Sequence, residues 1–169
     1  SSNPYNTDLD RNPANYQPLT PLSFLARSAE VFPNYVAIVH GERSWNYAEL
    51  YARSRRLASR LVDDGIERGH TVSAMLANTP AMLECHYGVP MSGGVLHSIN
   101  TRLDAKSIAF QLDHADARIV VVDAEYLPIM QQALAAASVA PQLIVYHDTE
   151  AGDTAHAYEA TEYEEYLGQ

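Results

Sequence analysis

Residues Arg118–His147 read "RIVVVD" (118–123), "AEYLPIMQQALAAA" (124–137) and "QLIVYH" (142–147). The outer runs are short, apolar and β-branched, as strands buried on both faces are. The middle run is long, rich in alanine and leucine, and carries Pro128 in its first turn, where proline suits a helix. Strand, helix and strand in that order predict a parallel βαβ unit. The same alternation extends upstream. "TVSAML" (71–76) and "GGVLHSI" (93–99) read as strands, while "TPAMLECHYGVPM" (79–91) and "DAKSIAFQLDHA" (104–115) read as helices. The fold class expected is α/β, a mainly parallel sheet with packed helices plus a β-hairpin.

The hairpin is "VAIVHGERSW", with strands at 36–40 and 43–45 about a turn at Gly41-Glu42. Thr20-Pro21 predicts a helix start with a capping hydroxyl, and Pro33 ends that helix. Asn46 and Glu49 form a capping-box pattern for the next helix. Its Tyr47, Leu50, Ser54, Leu57, Ala58 and Leu61 share one face, and Gly65 supplies the stop. Arg53, Arg56 and Arg60 form a second stripe that either meets an anion or, the reading preferred, faces solvent. Glu49 and Arg53 are spaced for an i,i+4 ion pair.

The 169 residues suffice for one domain with a core, and no run is long enough to span a bilayer. The net charge of −10 is uneven: residues 148–169 hold seven acidic residues and no Lys or Arg, leaving −3 for the rest. That tail reads as a solvated face or linker, and no basic groove for nucleic acid is expected. Cys85 is the single cysteine, so no internal disulfide forms and a reducing, cytoplasmic setting is expected. A buried structural thiol is the preferred reading of Cys85. The adjacent Asp63-Asp64 diverge on a helix and make a poor acid/base pair. The histidines 40, 70, 86, 97, 114, 147 and 156 contain no i,i+4 pair. The sequence has no Gly-x-Gly-x-x-Gly, no Walker-type loop and no Gly-x-Ser-x-Gly elbow. Asp123 ends a strand and reads either as a functional acid or as a helix cap. Lys106 is the only lysine and lies within a helix start, so no loop lysine is available for a nucleotide phosphate.

Taken in order, "TPLSFLARSAEVFPNYVAIVHGERSWNYAEL", "SRRLASRLVDDGIERGHTVSAMLANTPAML" and "GVPMSGGVLHSINTRL" resemble the N-terminal part of the AMP-forming acyl-coenzyme A synthetase family. "HYGVPMSGG" looks most like the medium-chain fatty acid and methylmercaptopropionate ligase branch. Two positions depart from the family's usual pattern: His70, where aspartate is common, and Thr101, where proline is common. The resemblance implies a disordered or extended arm at 1–17, an N-terminal α/β subdomain at 18–147, and an acidic linker with a short helix at 148–169 leading to a remainder. It implies a full-length ligase that uses ATP, Mg2+ and coenzyme A to activate a carboxylic acid as an acyl-adenylate. The family's phosphate loop and catalytic lysine have no match here, so the 169 residues alone are expected to be an inactive fragment. A cut surface would also favour self-association. Arg102, in Asn-x-Arg-Leu, matches the arginine that contacts the coenzyme A nucleotide phosphate in the family, or else braces the strand-to-helix turn. Two readings of other classes stand beside this one. One is a free-standing interaction or dimerisation module docking through its acidic, Tyr-rich tail. The other is a small receiver- or flavodoxin-like domain using Asp123.

Overall fold

The computed structural model describes residue 16, residues 20–151 and residues 160–168. Residues 1–15 and 17 of the expected arm therefore lie outside the described residues. Helix α1 (Pro21–Val31) leads into a two-stranded antiparallel hairpin, β1 (Val36–His40) and β2 (Arg43–Asn46). Helix α2 (Tyr47–Asp63) follows directly. Then come β3 (Thr71–Met75), α3 (Pro80–Met91), β4 (Val95–Ser98), α4 (Ala105–His114) and β5 (Ala117–Asp123). A short 3-10 turn, α5 (Leu127–Ala136), β6 (Gln142–Tyr146), β7 (Thr161–Glu162) and α6 (Tyr163–Tyr166) complete the described chain.

The sheet has the order β4-β3-β5-β6-β7, and every pairing in it is parallel. The α/β expectation with a separate hairpin therefore holds. From β3 the chain steps outward to β4, then returns across β3 to β5. Crossovers of one hand in opposite directions place successive helices on opposite faces. The cores show this division. Val72, Ala74, Ile119, Val121 and Ile144 pack with Leu57, Leu61, Cys85 and Val89 of α2 and α3. Met75, Val120, Val122 and Val145 pack with Ile108, Leu112, Leu127 and Met130 of α4 and α5. Alternate strand residues thus serve opposite cores, as the two-residue strand period requires.

Local signals explain most helix starts. Asn46 and Glu49 make both bonds of the capping box, each at 2.8 Å. Thr20 and Thr79 do precede proline at the helix start, but neither hydroxyl makes the expected cap bond. At α1 it is the Ser23 hydroxyl that bonds back to the Thr20 carbonyl, at 2.8 Å. Proline itself supplies the start, since it fixes φ and has no N–H to satisfy.

The tail departs most from its reading. Residues 152–159 lie outside the described residues, but Thr161 and Glu162 extend the sheet beside β6. Tyr163, Tyr166 and Leu167 belong to the α2–α3 core, at 0%, 1% and 3% exposure. The described tail tyrosines are core residues, not a docking surface. Glu162 caps α6 by accepting from the backbone N–H of Glu164 and Glu165, so its charge meets the positive end of the turn.

Candidate functional site

Open parallel sheets bind ligands beyond the carboxyl ends of their strands. Here that edge carries Asn78-Thr79 after β3, Asn100-Thr101-Arg102 after β4, Asp123 at the end of β5, and His147-Asp148 after β6.

The β4 turn is built by Asn100. Its side-chain oxygen accepts from the Arg102 N–H at 2.9 Å, and its carbonyl accepts from the Leu103 N–H at 3.2 Å. Ile99 anchors the approach, donating to the Ala74 carbonyl at 2.8 Å and burying its side chain. Asp104 then starts α4, accepting from the Ser107 N–H and hydroxyl, each at 2.9 Å. Those bonds hold the Asp104 carboxyl below the usual range. The turn is therefore fixed by Asn100 and Asp104. The exposed Arg102 guanidinium makes no hydrogen bond or ion pair among the described residues.

Asp123 has a different situation. It is 2% exposed and accepts from the Glu125 N–H at 3.0 Å, capping the 3-10 turn. Burial pushes its carboxyl up, with Asp148 and Glu125 adding to the shift. A receiver-like role needs an accessible acid, and Asp123 is committed as a cap. Asp148 is likewise occupied: His40 Nε2 of the hairpin lies 2.8 Å from one oxygen, which also accepts from the Glu150 N–H at 3.0 Å. Between the hairpin and the start of α3 lies a cleft whose lining includes Val39, His40, Asn78, Met82 and His86.

Other candidates are structural. Cys85 is fully buried, and burial pushes its thiol well up, with the Glu84 charge adding to the effect. Adjacent His86 points outward, its Nδ1 2.8 Å from the Met82 carbonyl. A serine–histidine pair does occur, Ser73 Oγ to His97 Nδ1 at 2.9 Å. Ser73 is wholly buried, and the further partner of His97 is Gln111 rather than a carboxylate, so the pair is not an activated nucleophile. No group of three His, Cys, Asp or Glu suited to a metal ion occurs among the described residues. No described helix is long and apolar enough to cross a membrane.

One constellation had no precedent in the reading of the sequence. Arg53 is not part of a solvated stripe. Its Nε donates to Glu84 at 2.5 Å, and its Nη1 and Nη2 donate to Glu164 at 2.9 and 2.6 Å. The Tyr163 hydroxyl donates to Glu84 at 2.8 Å. Burial pushes the Glu84 carboxyl up, while Arg53 and Tyr163 restrain it. Burial alone would lower the Arg53 guanidinium, but the two carboxylates reverse that and hold it further up. Arg60 lies over the Tyr166 ring, 5.3 Å from its centroid. The available signal was Glu84 itself, a lone charge inside the apolar run "AMLECHYGV".

Comparison with known proteins gives these features a context. The family model for AMP-binding enzymes matches residues 25–167. An acetate/butyrate–CoA ligase of Arabidopsis thaliana, named as peroxisomal, is 41% identical, with 95% of this chain covering 30% of that protein. An acetate–CoA ligase of Humulus lupulus is 43% identical, over 75% of this chain and 22% of that protein. Among solved structures, a benzoate CoA ligase from Burkholderia xenovorans superposes with a TM-score of 0.74 at 27% identity, covering 86% of this chain and 27% of that one. The chain thus spans under a third of the length of these relatives. It belongs to the AMP-binding enzyme family.

Proposed function

We propose that this chain is part of an enzyme that joins a carboxylic acid to coenzyme A in two steps. The carboxylate attacks the α-phosphate of ATP, forming an acyl-adenylate and releasing pyrophosphate. The coenzyme A thiol then attacks the acyl carbon, forming the thioester and releasing AMP. The observation that carries this reading is the likeness to an acetate/butyrate–CoA ligase over 95% of the chain. ATP and Mg2+ are proposed as cofactors of the full-length enzyme, on the strength of the CoA ligases this chain resembles, and the isolated chain is proposed to be inactive because the family's phosphate loop has no match in its sequence.

Within the chain, Arg102 is proposed to hold a phosphate of the coenzyme A nucleotide. A guanidinium forks onto phosphate oxygens, and this one is exposed on a turn already held by other groups. Arg102→Ala in the full-length enzyme should raise the KM for coenzyme A roughly ten-fold. This is the lower end of what a lost charge-assisted bond gives, because the site is open to solvent. ATP–pyrophosphate exchange should be nearly unchanged. A fall in melting temperature with equal damage to both half-reactions would identify Arg102 as a brace and overturn this assignment.

The acid is proposed only as a class. The relatives' names print acetate, butyrate and benzoate, not the medium-chain or methylmercaptopropionate branch. Assaying acetate, butyrate, octanoate, methylmercaptopropionate and benzoate side by side would set the branch. The cytoplasmic assignment is likewise part of the proposal, to be checked by imaging the full-length protein, since several relatives are named as peroxisomal. Self-association of the isolated chain is proposed to use Phe24, Phe32, Tyr35, Val36 and Val39, which are exposed.

A further inference from the structure

We propose that the cleft between the hairpin and the start of α3 is a binding site for a small uncharged phenol, its hydroxyl donating to His86 and its ring seated on the apolar walls. The site lies where the sheet topology calls for one. β3 and β5 are neighbours, yet β3 leads into α3 on one face and β5 into α5 on the other. Their carboxyl ends therefore part at a topological switch point, the usual ligand crevice of an open parallel sheet. Asn78 and Thr79, which follow β3, line the cleft, and the hairpin closes its other side with Ile38, Val39 and His40. The volume is about 270 Å³. A dry cavity of about 150 Å³ holds benzene, so this one has room for a single ring with a short substituent. The Met82 thioether in its wall is a favourable neighbour for an aromatic ring.

Two histidines set the polarity of the ligand. The Asp148 carboxylate and the Met82 carbonyl can only accept, so each ring carries its proton on the bonded nitrogen: Nε2 of His40 and Nδ1 of His86, both at 2.8 Å. In the neutral rings that leaves Nδ1 of His40 and Nε2 of His86 as acceptors, and neither has a partner among the described residues. Acceptors call for a ligand that donates. Charge rejects an acid. No Lys or Arg lines the cleft, and Arg43, opposite His40 across the hairpin, lies over the Trp45 ring. Asp148 is bonded to His40, and Glu150 packs against the hairpin turn at Gly41. A carboxylate in the cleft would face that negative charge with no cation beside it, whereas a phenol makes the hydrogen bond and avoids the repulsion.

The test reads binding alone, by calorimetry on the full-length enzyme, so its failure leaves the ligase reading standing. p-Cresol should bind saturably, and toluene, which lacks the donor, more weakly. His86→Leu should weaken p-cresol about 2- to 10-fold, the span of one net hydrogen bond, and leave toluene unmoved. Val39→Trp fills the cleft from its lip and should abolish binding of both. His86 and Val39 are exposed, so neither change cuts into the core. 4-Methylbenzoate has the same body with a charge, and its affinity should not respond to Val39→Trp. The absence of saturable p-cresol binding, or binding that neither variant changes, would overturn the proposal. Loss in Val39→Trp with no change in His86→Leu would remove the hydrogen bond and with it the assignment of a donor ligand. A 4-methylbenzoate affinity that falls with p-cresol in Val39→Trp would show that the cleft takes an anion, and the chemical class proposed here would be wrong.

Discussion

Replacing Arg53 with alanine is expected to cost about 3–5 kcal/mol of folding stability, the usual loss when one partner of a buried ion pair is removed. The Glu84 side chain is 0% exposed, and its principal charge partner is Arg53. Without the guanidinium, two carboxylates from α3 and α6 face each other with only the Tyr163 hydroxyl still bonded to Glu84. The core can respond by protonating Glu84, which burial already pushes upward. The native state then binds a proton that the unfolded chain has released. Stability of the variant therefore falls as pH rises from the ordinary glutamate value through the raised one, and the deficit narrows in acid. Glu84→Gln in the Arg53→Ala background should recover part of the loss, since it removes the charge and keeps an acceptor for Tyr163. Urea unfolding across pH checks all three statements. A loss below about 1 kcal/mol that is flat with pH would mean the cluster behaves as an exposed pair, and the account would be wrong.

Leu57→Ala is expected to cost about 2–5 kcal/mol, as truncations of fully buried leucines do. Leu57 is 0% exposed on α2, and it fills a notch that Gly88 leaves in α3. A Cβ added at Gly88 would come within 2.7 Å of Leu57 Cδ2 and 2.9 Å of its Cβ and Cγ. Gly88→Ala alone should therefore cost roughly 1–3 kcal/mol of overpacking, against a helix-propensity gain near 1 kcal/mol. Combining the two changes should cost less than their sum, by at least about 0.5 kcal/mol, because the methyl enters space that leucine has left. Relief stays partial, since the Cβ of residue 57 remains. Strict additivity in equilibrium unfolding would show that the two helices do not meet at this notch.

Strand and helix identities were legible wherever a period had room to express itself. "RIVVVD" and "QLIVYH" are long enough to show buried strands, and Asn46 with Glu49 announces its helix start within four residues. β7 could not be read this way, because two residues contain no period. The tail misled through composition. Counting charges over 148–169 suggests solvent, yet Tyr163 and Tyr166 lie three apart on one side of a turn, while Glu165 faces out. Arg53 misled through spacing. Glu49 was a plausible local partner, but its carboxylate is spent on the Asn46 N–H. The actual partners of Arg53 lie 31 and 111 residues away, a distance that no local pattern encodes. Arg102 was legible as a position, a cation at a strand end, and the structure adds that Asn100 frees it from holding the turn.

The strand order also sets a schedule for synthesis. Once β3, β4 and β5 have paired, β6 and then β7 join at a single growing edge in the order in which a ribosome delivers them. Arg53 and Glu84 emerge early, but Glu164 follows Arg53 by 111 residues. At translation speeds of about 5–20 residues per second, that interval lasts roughly 5–20 s. During it the nascent core lacks the tyrosines that will seal it, and α2, joined later by α3, presents an open apolar seam to solvent. A chaperone has its longest opportunity on this chain in that interval, which ends when β7 and α6 dock.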